Sequence, residues 1–282
     1  MDKVQHRSFN TTNGPSPAIW GDCPILDITV DPYRGYGIFD DFVNTPLPGT
    51  QTTEVQWYNG YKVFATASGY VKADETINSV ETPGGILAFN GDTADDSASL
   101  ATYAEPFKIS GSSSTSGKLW FEARLAVSSA VTNGVGIFVG LAETQLWTLA
   151  TGVPFSGTGD AITNSAAAIG FLYPEDDTTT ADTVYSDRAT SFTAIGDGEV
   201  TGIADNTFTK LGFVYDPERT SDCIRFFQDG VELSTKLSQS TITGLTNLDA
   251  GTLGLIYAHV ADTAGTAIIS YLDWWRCYQL RA

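Results

Sequence analysis

Apolar and polar residues alternate in short runs along most of the chain, and clusters of Gly, Asn, Asp, Ser and Thr separate the runs. Between Lys118 and Val127, every second residue is apolar. Because successive side chains of a β-strand point to opposite faces of its sheet, this period of two predicts a strand with one buried face. The predicted buried face consists of Leu119, Phe121, Ala123, Leu125 and Val127, and the opposite face of Lys118, Trp120, Glu122 and Arg124.

Ten further runs after residue 39 are typical of strands, and no window has the sustained 3.6-residue apolar period of a helix. Many short strands separated by turns predict an all-β fold, in which two antiparallel sheets pack face to face as a jelly-roll sandwich. The ten runs are Lys62–Thr66, Ile86–Phe89, Leu100–Tyr103, Val135–Leu141, Ala167–Tyr173, Thr209–Tyr215, Cys223–Gln228, Val231–Leu233, Leu253–Val260 and Thr266–Leu280.

Two dipeptides, Asn133-Gly134 and Asp229-Gly230, predict tight hairpin turns, because these residue types tolerate the positive φ angles that such turns require. Each turn would join two neighbouring strands of one sheet. Trp274 and Trp275 are adjacent in the last predicted strand and must therefore point to opposite faces. We expect one of them in the core and the other on the outer face or against the N-terminal part of the chain.

The first 38 residues differ from the rest. Six of the eleven prolines fall within residues 1–48, and proline resists both helix interiors and central strands. The region is also rich in large apolar residues, whose exposure in a free linker would have no benefit. We predict an extended N-terminal arm (residues 1–38), which lies on its own domain or on a neighbouring subunit, and a sandwich domain (residues 39–282). The expected contact residues of the arm are Trp20, Tyr33, Tyr36 and Phe39.

The chain of 282 residues has 15 Lys and Arg against 33 Asp and Glu, which gives a formal net charge of −18. This excess argues against direct contact with nucleic acid or an anionic membrane, because cationic faces supply those contacts. The arm carries four acidic and three basic residues, so 17 of the 18 net negative charges lie in the sandwich. We expect the near-neutral arm to contact a partner and the acidic sandwich to face water.

Cysteine spacing and the N-terminal sequence bear on the compartment. Cys23, Cys223 and Cys277 are widely spaced and form no CxxC motif, which predicts no disulfide framework and favours a reducing compartment. The first ten residues lack the apolar core of a signal peptide, and no run approaches the roughly 18 apolar residues of a membrane span. We expect a protein that is made and folded in the cytoplasm.

The segment Phe208–Leu233, FTKLGFVYDPERTSDCIRFFQDGVEL, resembles the late hairpin of concanavalin A-like and laminin-G-like sandwiches. In such domains an apolar strand ends in Tyr-Asp, and a short loop leads to a strand-Asp-Gly-strand hairpin. The closing run GTAIISYLDWWRCYQL is similar to the strand that completes their jelly roll. The resemblance covers about residues 40–282 and implies the same fold for the sandwich domain.

The order of motifs in the whole chain is similar to that of structural proteins encoded beside the capsid genes of tailed bacteriophages. The motifs are IFDDF after the proline-rich arm, then KLWFEARLAV, then GIFVGLAE. The resemblance implies a jelly roll that decorates or cements the capsid, without catalytic residues or a cofactor. It also implies the major capsid protein and sister subunits as partners, commonly in a homotrimer, and a place on the virion surface after synthesis in the host cytoplasm.

Glycoside hydrolysis is the enzymatic alternative, because sandwiches of this kind include glucanases. The reaction needs two carboxylates about 5–9 Å apart on either side of the sugar bond. The Glu-x-Asp-x-x-Glu pattern of laminarinases is absent, and Glu122 and Glu143 are the candidates for a pair across a hairpin. Glu122 shares a strand face with Lys118 and Arg124, so we expect a cross-strand ion pair and no catalytic residue. For His259 we expect a place on a strand face.

Two groups of aspartates are candidate calcium ligands, since calcium takes about six to eight oxygen ligands. Neither group has the spacing, the glycine or the terminal glutamate of an EF-hand loop. Clustered Asp with Ser and Thr is typical of solvated turns, so we expect no metal site. The two groups are Asp92, Asp95 and Asp96, and Asp176, Asp177 and Asp182.

Carbohydrate binding stays open as an alternative function, in a module of a tail fibre or adhesin. Aromatic rings stack on sugars, and ligand sites combine such rings with a few polar groups. The candidate stacking residues are Trp57, Tyr58 and Trp147. Aromatic side chains also dominate cores and subunit interfaces, so structural packing is the competing interpretation of these rings.

Overall fold

The polypeptide forms two eight-stranded antiparallel sheets, A and B, whose inner faces pack against each other. The computed structural model describes residues 12–42, 56–58, 60–65, 70–73, 85–91, 97–129, 135–144, 165–174, 180–261 and 268–282. Four short helices complete these ranges: α1 (Pro17–Trp20), α2 (Ile25–Val30), α3 (Gln239–Gly244) and α4 (Thr246–Ala250). No helix in the described ranges has the length and apolar character needed to cross a membrane.

Sheet A contains the longest strand of the described chain, which pairs with three others. In spatial order the sheet consists of β14 (Val231–Leu237), β13 (Ile224–Gln228), β12 (Thr209–Tyr215), β7 (Leu119–Val127), β16 (Ile268–Leu280), β5 (Leu87–Gly91) and β4 (Tyr70–Ala73). One further strand, β1 (Gly35–Asp40), pairs with the second half of β16, while β5 pairs with the first half. The N-terminal region therefore supplies one strand of the sandwich.

Sheet B consists of the remaining eight strands. In spatial order they are β11 (Thr193–Val200), β10 (Ala181–Asp187), β9 (Ala167–Tyr173), β8 (Val135–Ala142), β15 (Gly254–Ala261), β6 (Ser97–Thr102), β3 (Tyr61–Ala65) and β2 (Gln56–Tyr58). Neighbours in both sheets are antiparallel, and many of them are distant in sequence. This is the two-sheet jelly-roll sandwich predicted from the sequence.

The buried core lies between the sheets and follows the alternation seen in the sequence. Leu119, Phe121, Ala123, Leu125 and Val127 all belong to it, which confirms the inner face predicted for β7. Trp275 is fully buried in the same core, whereas Trp274 lies on the outer face and donates a hydrogen bond from Nε1 to the carbonyl oxygen of Asn13 (3.0 Å). The predicted division of the two tryptophans is therefore confirmed. Burying one large side chain of this kind stabilises the fold by roughly 2–3 kcal/mol.

The two predicted hairpins have different outcomes. Asp229 and Gly230 have φ angles of 50° and 79° and join β13 to β14, which confirms that hairpin. The hairpin expected at Asn133-Gly134 is wrong, because β7 belongs to sheet A and β8 to sheet B. The chain crosses between the sheets there, and the two dipeptide residues themselves lie outside the described ranges. Strand pairing depends on distant residues, so a local turn signal did not reveal the crossover.

All eleven strands predicted from the sequence overlap a strand of the structure, and five strands were not predicted. The missed strands are β1, β2, β4, β10 and β11. Two of them, β10 and β11, carry the polar sequences ADTVYSD and TAIGDGEV, whose residue types are typical of loops. Cys23, Cys223 and Cys277 are free thiols, as the spacing predicted.

A histidine is buried between the two sheets. His259 shares the inner face of β15 with Leu255 and Tyr257, and it is fully buried. Its Nδ1 atom lies 2.9 Å from Oγ of Ser270 on β16, while its Nε2 atom has no hydrogen-bond partner in the described part of the chain. Burial lowers the pKa of His259 to about 3, so the ring is neutral at neutral pH.

The buried ring makes stability depend on pH. The pKa of His259 is about 3 in the folded state against an ordinary value of 6.5, so the unfolded chain binds the extra proton between these values. Stability is therefore lost as the pH falls from about 6.5 towards 3. Between pH 7 and pH 5, we expect this one group to remove about 2 kcal/mol from the free energy of unfolding. Urea unfolding at pH 7 and at pH 5 measures this change in the free energy of unfolding. The variant His259→Gln should not show the part of the change that His259 contributes. An equal loss in the variant would contradict the assignment.

Candidate functional site

In residues 12–42, here called the N-terminal segment, the part around α1 packs on the outer face of sheet A, and β1 joins that sheet as a strand. The segment differs from the predicted extended arm, because it contains α1, α2 and β1 rather than one extended stretch. It also crosses the boundary predicted at residue 38, since β1 pairs with β16 from Gly35↔Leu280 to Asp40↔Trp275. The arm was expected to lie either on its own domain or on a neighbouring subunit. In the structure, residues 12–42 lie on their own domain. The segment therefore has a side towards the sheet and a side towards solvent.

Trp20 anchors the segment to the sheet. Its side chain is 2% exposed and packs with Trp120, Val214 and Phe227 from three strands of sheet A. Gly212 allows α1 to lie close to the sheet, because a Cβ atom at position 212 would lie only 2.7 Å from Cδ1 of Ile19, the neighbour of Trp20. Trp20 was predicted as an interface residue of the arm, and the structure places it in an interface within the chain, where it is not accessible to a partner.

Glu122 accepts hydrogen bonds from the segment rather than forming the predicted ion pair. Its Oε2 atom accepts from the amide of Ser16 (2.9 Å) and from Nε1 of Trp20 (2.7 Å). The carboxylate is fully buried, and burial raises its pKa. Lys118 contacts Asp22 and Asp216 instead, and Arg124 contacts Asp273. The prediction failed because the covering segment supplies uncharged N–H donors closer to Glu122 than the neighbouring cations.

Side chains of sheet A bind backbone atoms at the start of the N-terminal segment. Trp274 donates to the carbonyl oxygen of Asn13 (3.0 Å), and Nζ of Lys210 donates to the carbonyl oxygen of Gly14 (3.2 Å). Together with the hydrogen bond from the Ser16 amide to Glu122, sheet A thus binds the backbone of Asn13, Gly14 and Ser16. The three side chains that bind this backbone are buried and belong to β16, β12 and β7. These contacts do not depend on the side chains of the residues that they hold.

The solvent side of the segment carries four large apolar side chains among exposed polar residues such as Asp27 and Arg34. Exposed fractions are 82% for Val30, 85% for Tyr33, and 47% for both Leu26 and Phe39. Leu26 and Val30 are four residues apart in α2 and lie on the same side of that helix, opposite the buried Ile28. These four residues are here called the apolar patch. They make up four of the six large apolar side chains that are exposed in the described part of the chain.

The other predicted contact residues of the arm lie in different surroundings. Tyr33 and Phe39 belong to the apolar patch, whereas Tyr36 is half-buried and donates from its hydroxyl to Oε1 of Gln279 (2.9 Å). Trp57 and Tyr58, candidates for sugar stacking, lie on β2 at the edge of sheet B, but their side chains are outside the description. Trp147, the third candidate, lies outside the described residues.

The candidate carboxylate pair does not form across a hairpin. Glu122 lies on sheet A, while Glu143 follows β8 of sheet B and accepts two hydrogen bonds from Arg188 (2.9 and 2.6 Å). Glu143 also accepts from the amide of Ala167 (2.8 Å). Each of the two carboxylates thus accepts hydrogen bonds from a different part of the protein.

The candidate calcium ligands are only partly described. Asp182 belongs to strand β10 rather than to a loop, and it accepts a hydrogen bond from the amide of Gly198 (2.6 Å). The other five aspartates lie outside the described ranges. Within those ranges, no three His, Cys, Asp or Glu side chains are grouped so that they could hold a metal ion.

A second surface site, which is not among those predicted from the sequence, combines an exposed ring with polar groups. Tyr103 follows β6 and is half-exposed, with Nζ of Lys62 at 5.7 Å from the centre of its ring. Glu105 accepts hydrogen bonds from the hydroxyls of Thr252 (3.2 Å) and Thr144 (3.4 Å) beside it. We call these five residues the Tyr103 site. Its members come from four separate stretches of sequence, so no local motif indicated it.

The structure is similar to several solved structures. Protein of unknown function SO2946 from Shewanella oneidensis MR-1 has a TM-score of 0.54 at 12% identity, over 92% of this chain and 94% of that one. An endo-1,3-beta-glucanase from Streptomyces sioyaensis has a TM-score of 0.52 at 16% identity, over 89% and 99%. The Emp46p carbohydrate recognition domain in its potassium-bound form has a TM-score of 0.50 at 11% identity, over 77% and 88%. No protein-family model and no curated protein sequence matches the chain.

These similarities define the class of fold. The chain is a concanavalin A-like jelly-roll sandwich, as the hairpin around Asp229-Gly230 and the closing strand predicted. At such low sequence identities, the similarity shows the fold alone, and one such fold hosts binding proteins and enzymes alike. The functional argument therefore depends on the residues of this chain.

Replacing Glu122 tests how the segment is held. Glu122→Ala leaves the buried N–H groups of Ser16 and Trp20 without an acceptor, and we expect it to lower the free energy of unfolding by about 2–4 kcal/mol. Glu122→Gln keeps an acceptor and removes the buried charge, so its effect should stay below about 1 kcal/mol. Glu218→Ala, at an exposed position in the turn after β12, is the control and should stay within about 0.5 kcal/mol. Urea unfolding measures all three, and equal losses for Ala and Gln at Glu122 would show that the charge is what matters.

Proposed function

We propose that the protein is a non-enzymatic structural protein of a tailed-phage virion, which decorates or cements the capsid through its N-terminal segment. Its partners would be the major capsid protein and sister subunits. The observation that carries the proposal is the apolar patch, Leu26, Val30, Tyr33 and Phe39, on a segment that is anchored to the sandwich by Trp20. The order of the IFDDF, KLWFEARLAV and GIFVGLAE motifs supports the same role.

An apolar patch on an acidic chain is suited to protein contact. Several large apolar side chains exposed on one short segment favour a surface that a partner covers, whereas single ones are ordinary. Aromatic residues such as Tyr33 and Phe39 also contribute much of the binding energy in protein interfaces. Many identical copies on a capsid would multiply a modest single contact into firm attachment.

The roles of the carboxylates support a non-enzymatic protein. Glu122 is covered by the segment and binds Ser16 and Trp20, and Glu143 binds Arg188 and the Ala167 amide. A glycosidase needs two carboxylates that face one groove at the sugar bond. Glu122 and Glu143 lie on different sheets and are committed to structural hydrogen bonds.

Surface variants of the apolar patch test the proposal without disturbing the fold. Val30→Ser combined with Tyr33→Ser removes two exposed side chains, so stability should change by less than about 1 kcal/mol. We expect co-sedimentation with purified DNA-filled heads of the phage that encodes the chain to weaken at least about tenfold. Val231→Ser, at an exposed apolar position on β14, is the matched control. Deletion of residues 2–38 is a coarser test, because it also removes Trp20 and part of β1. Unchanged co-sedimentation of the double variant would contradict the proposal.

Carbohydrate binding is the second candidate function, and the Tyr103 site favours it. The half-exposed ring of Tyr103, with the partly exposed carboxylate of Glu105 and the exposed hydroxyl of Thr252 on the same surface, offers both stacking and hydrogen bonds to a sugar. Two of the structurally similar proteins bear names that refer to carbohydrates, the glucanase and the Emp46p carbohydrate recognition domain. The module would then serve a tail fibre or adhesin.

A glycan array separates the two candidates. If the protein binds carbohydrate at the Tyr103 site, array binding should be lost in Tyr103→Ala, because the stacking ring is removed. Tyr33→Ala, which changes an exposed tyrosine of the apolar patch, is the control and should bind normally. An array without hits at micromolar protein concentration would count against the carbohydrate function.

A further inference from the structure

The strand β1 pairs along one edge only. That edge pairs with β16 from Gly35↔Leu280 to Asp40↔Trp275, and no strand of the described ranges pairs with the edge that faces away from β16, here called the outer edge. We propose that the outer edge of β1 binds the same edge of a second copy of the chain, so that one antiparallel sheet continues from one sandwich into the next. The inference deepens the proposed function, on which it rests, because it specifies how two sister subunits contact each other.

Three residues of β1 direct their backbone groups towards the outer edge. The amide of Arg281 donates to the carbonyl oxygen of Arg34 (3.0 Å), so these two residues form a hydrogen-bonded pair just before β1. Hydrogen-bonded pairs alternate along an antiparallel ladder, and the next positions of β1 that bond to β16 are therefore Tyr36, Ile38 and Asp40. The residues whose N–H and C=O groups face the outer edge are Gly35, Gly37 and Phe39. Of these three, Gly37 and Phe39 are exposed to solvent.

The far edge of sheet A is protected, whereas the outer edge of β1 is not. Strand β14 forms the far edge, and the amides of Ser234 and Thr235 both donate to Oε1 of Glu199 (2.5 and 2.8 Å). Covering edge amides and placing charges along an edge are two ways in which proteins prevent a further strand from adding. The exposed residues of β1, Gly37 and Phe39, carry no charge. By these criteria β14 is closed to a partner strand and β1 is open to one.

The sequence of β1 is complementary to itself in an antiparallel arrangement. With Gly37 opposite Gly37 of the second copy, Gly35 lies opposite Phe39, and all three outward residues form hydrogen-bonded pairs. No side chains collide on the two-fold axis, and each Phe39 ring faces a glycine. A shift by two residues in either direction would place one outward residue of each copy opposite a residue outside β1. The backbone pattern therefore selects one register and the second copy as the partner.

Opposite charges would meet at both ends of this pairing. In the selected register, Arg34 lies opposite Asp40 of the second copy, and the symmetry repeats the pair. Arg34 is exposed, and its only described ion pair is a loose one with Asp31 (3.9 Å). The carboxylate of Asp40 accepts from the hydroxyl of Tyr61 (2.9 Å) and from the amide of Phe42 (2.7 Å), which holds it in place. The charges thus favour the same partner and register as the backbone.

Pairing would also cover exposed apolar surface. Phe39 belongs both to the outer edge and to the apolar patch. A Cβ atom at Gly35 would lie 3.1 Å from Cγ1 of Ile28, so α2 lies directly against the strand at this glycine. Because Gly35 faces Phe39 of the second copy, that ring would come to lie beside α2. Strand addition generally combines backbone hydrogen bonds with side-chain contacts of this kind.

Sedimentation equilibrium of the full-length chain tests the pairing. At about 100 µM, a concentration at which even weak interfaces of small area form, we expect a species of twice the 30.1 kDa of one chain, which dissociates on dilution. A monomer at this concentration would overturn the proposal, and so would a trimer.

A proline at position 39 tests the hydrogen bonds of the outer edge. Phe39→Pro removes an N–H group that faces away from β16, so it leaves the pairing of β1 with β16 intact. Phe39→Ala removes the same ring but keeps the N–H group, and it is the matched control. We expect the dimer dissociation constant of Phe39→Pro to be at least about tenfold higher than that of Phe39→Ala. Equal constants would show association through another surface and would overturn the pairing.

A charge reversal tests the register and leaves the backbone of β1 unchanged, so it also decides if Phe39→Pro does not fold. Arg34→Glu places like charges opposite each other at Asp40, and we expect the dissociation constant to rise at least about tenfold at low ionic strength. Arg219→Glu is the control, because Arg219 is exposed and pairs with Asp222 three residues away, as Arg34 does with Asp31. Equal constants for the two variants would contradict the register.

The outcomes separate this inference from the proposed function. A wild-type monomer that co-sediments normally with heads would overturn the pairing alone. A wild-type dimer that responds to Phe39→Pro and Arg34→Glu, but does not co-sediment with heads, would overturn the capsid role alone.

Discussion

The pairing of β7 with β16 is the constraint on which the rest of the molecule depends. The ladder runs from Ser270↔Val127 to Gln279↔Leu119 through the middle of sheet A, with one irregularity between Leu272 and Trp274. Because side chains alternate, the same two strands supply Phe121 and Trp275 to the core and Glu122 and Trp274 to the outer face. The other edge of β16 holds β5 along its first half and β1 along its second. The core and the position of the N-terminal segment thus follow from one register.

The sequence was informative where a residue's surroundings depend on its near neighbours. The period of two in β7 and the adjacency of Trp274 and Trp275 each determine the direction of a side chain, and Asp229-Gly230 determines a turn; all three predictions are confirmed. Partners across a sheet are set by residues that are distant in the chain. For this reason the sequence did not reveal that β7 and β8 lie in different sheets, nor that Glu122 meets Ser16 and Trp20. The helices α1 and α2, with four and six residues, are too short for a helical period.

The excess of acidic residues has a structural role that net charge alone does not indicate. With 33 acidic residues against 15 basic ones, most carboxylates cannot have a cationic partner of their own. Several bind backbone amides instead: Glu122 accepts from Ser16, and Asp187 accepts from Asn247 and Leu248 at the start of α4. A charged acceptor forms a stronger hydrogen bond than a neutral one, and a buried amide without an acceptor is costly. Some of the acidic side chains thus stabilise the connections between loops and sheets, and they do not serve only as a solvated surface.

The two sides of the N-terminal segment are physically connected. Trp20 fixes one end of the segment in its pocket, and the pairing of β1 with β16 fixes the other. The exposed side chains of Val30 and Tyr33 lie between these two attachments, so their backbone is ordered before any partner arrives. Binding through a flexible arm would require that order to be established on contact, at an entropic cost for each residue. An arm held on its own sandwich therefore presents its apolar patch in a preorganised form. For the capsid contact proposed above, a change at the buried Trp20 would therefore weaken binding at the patch without touching the partner.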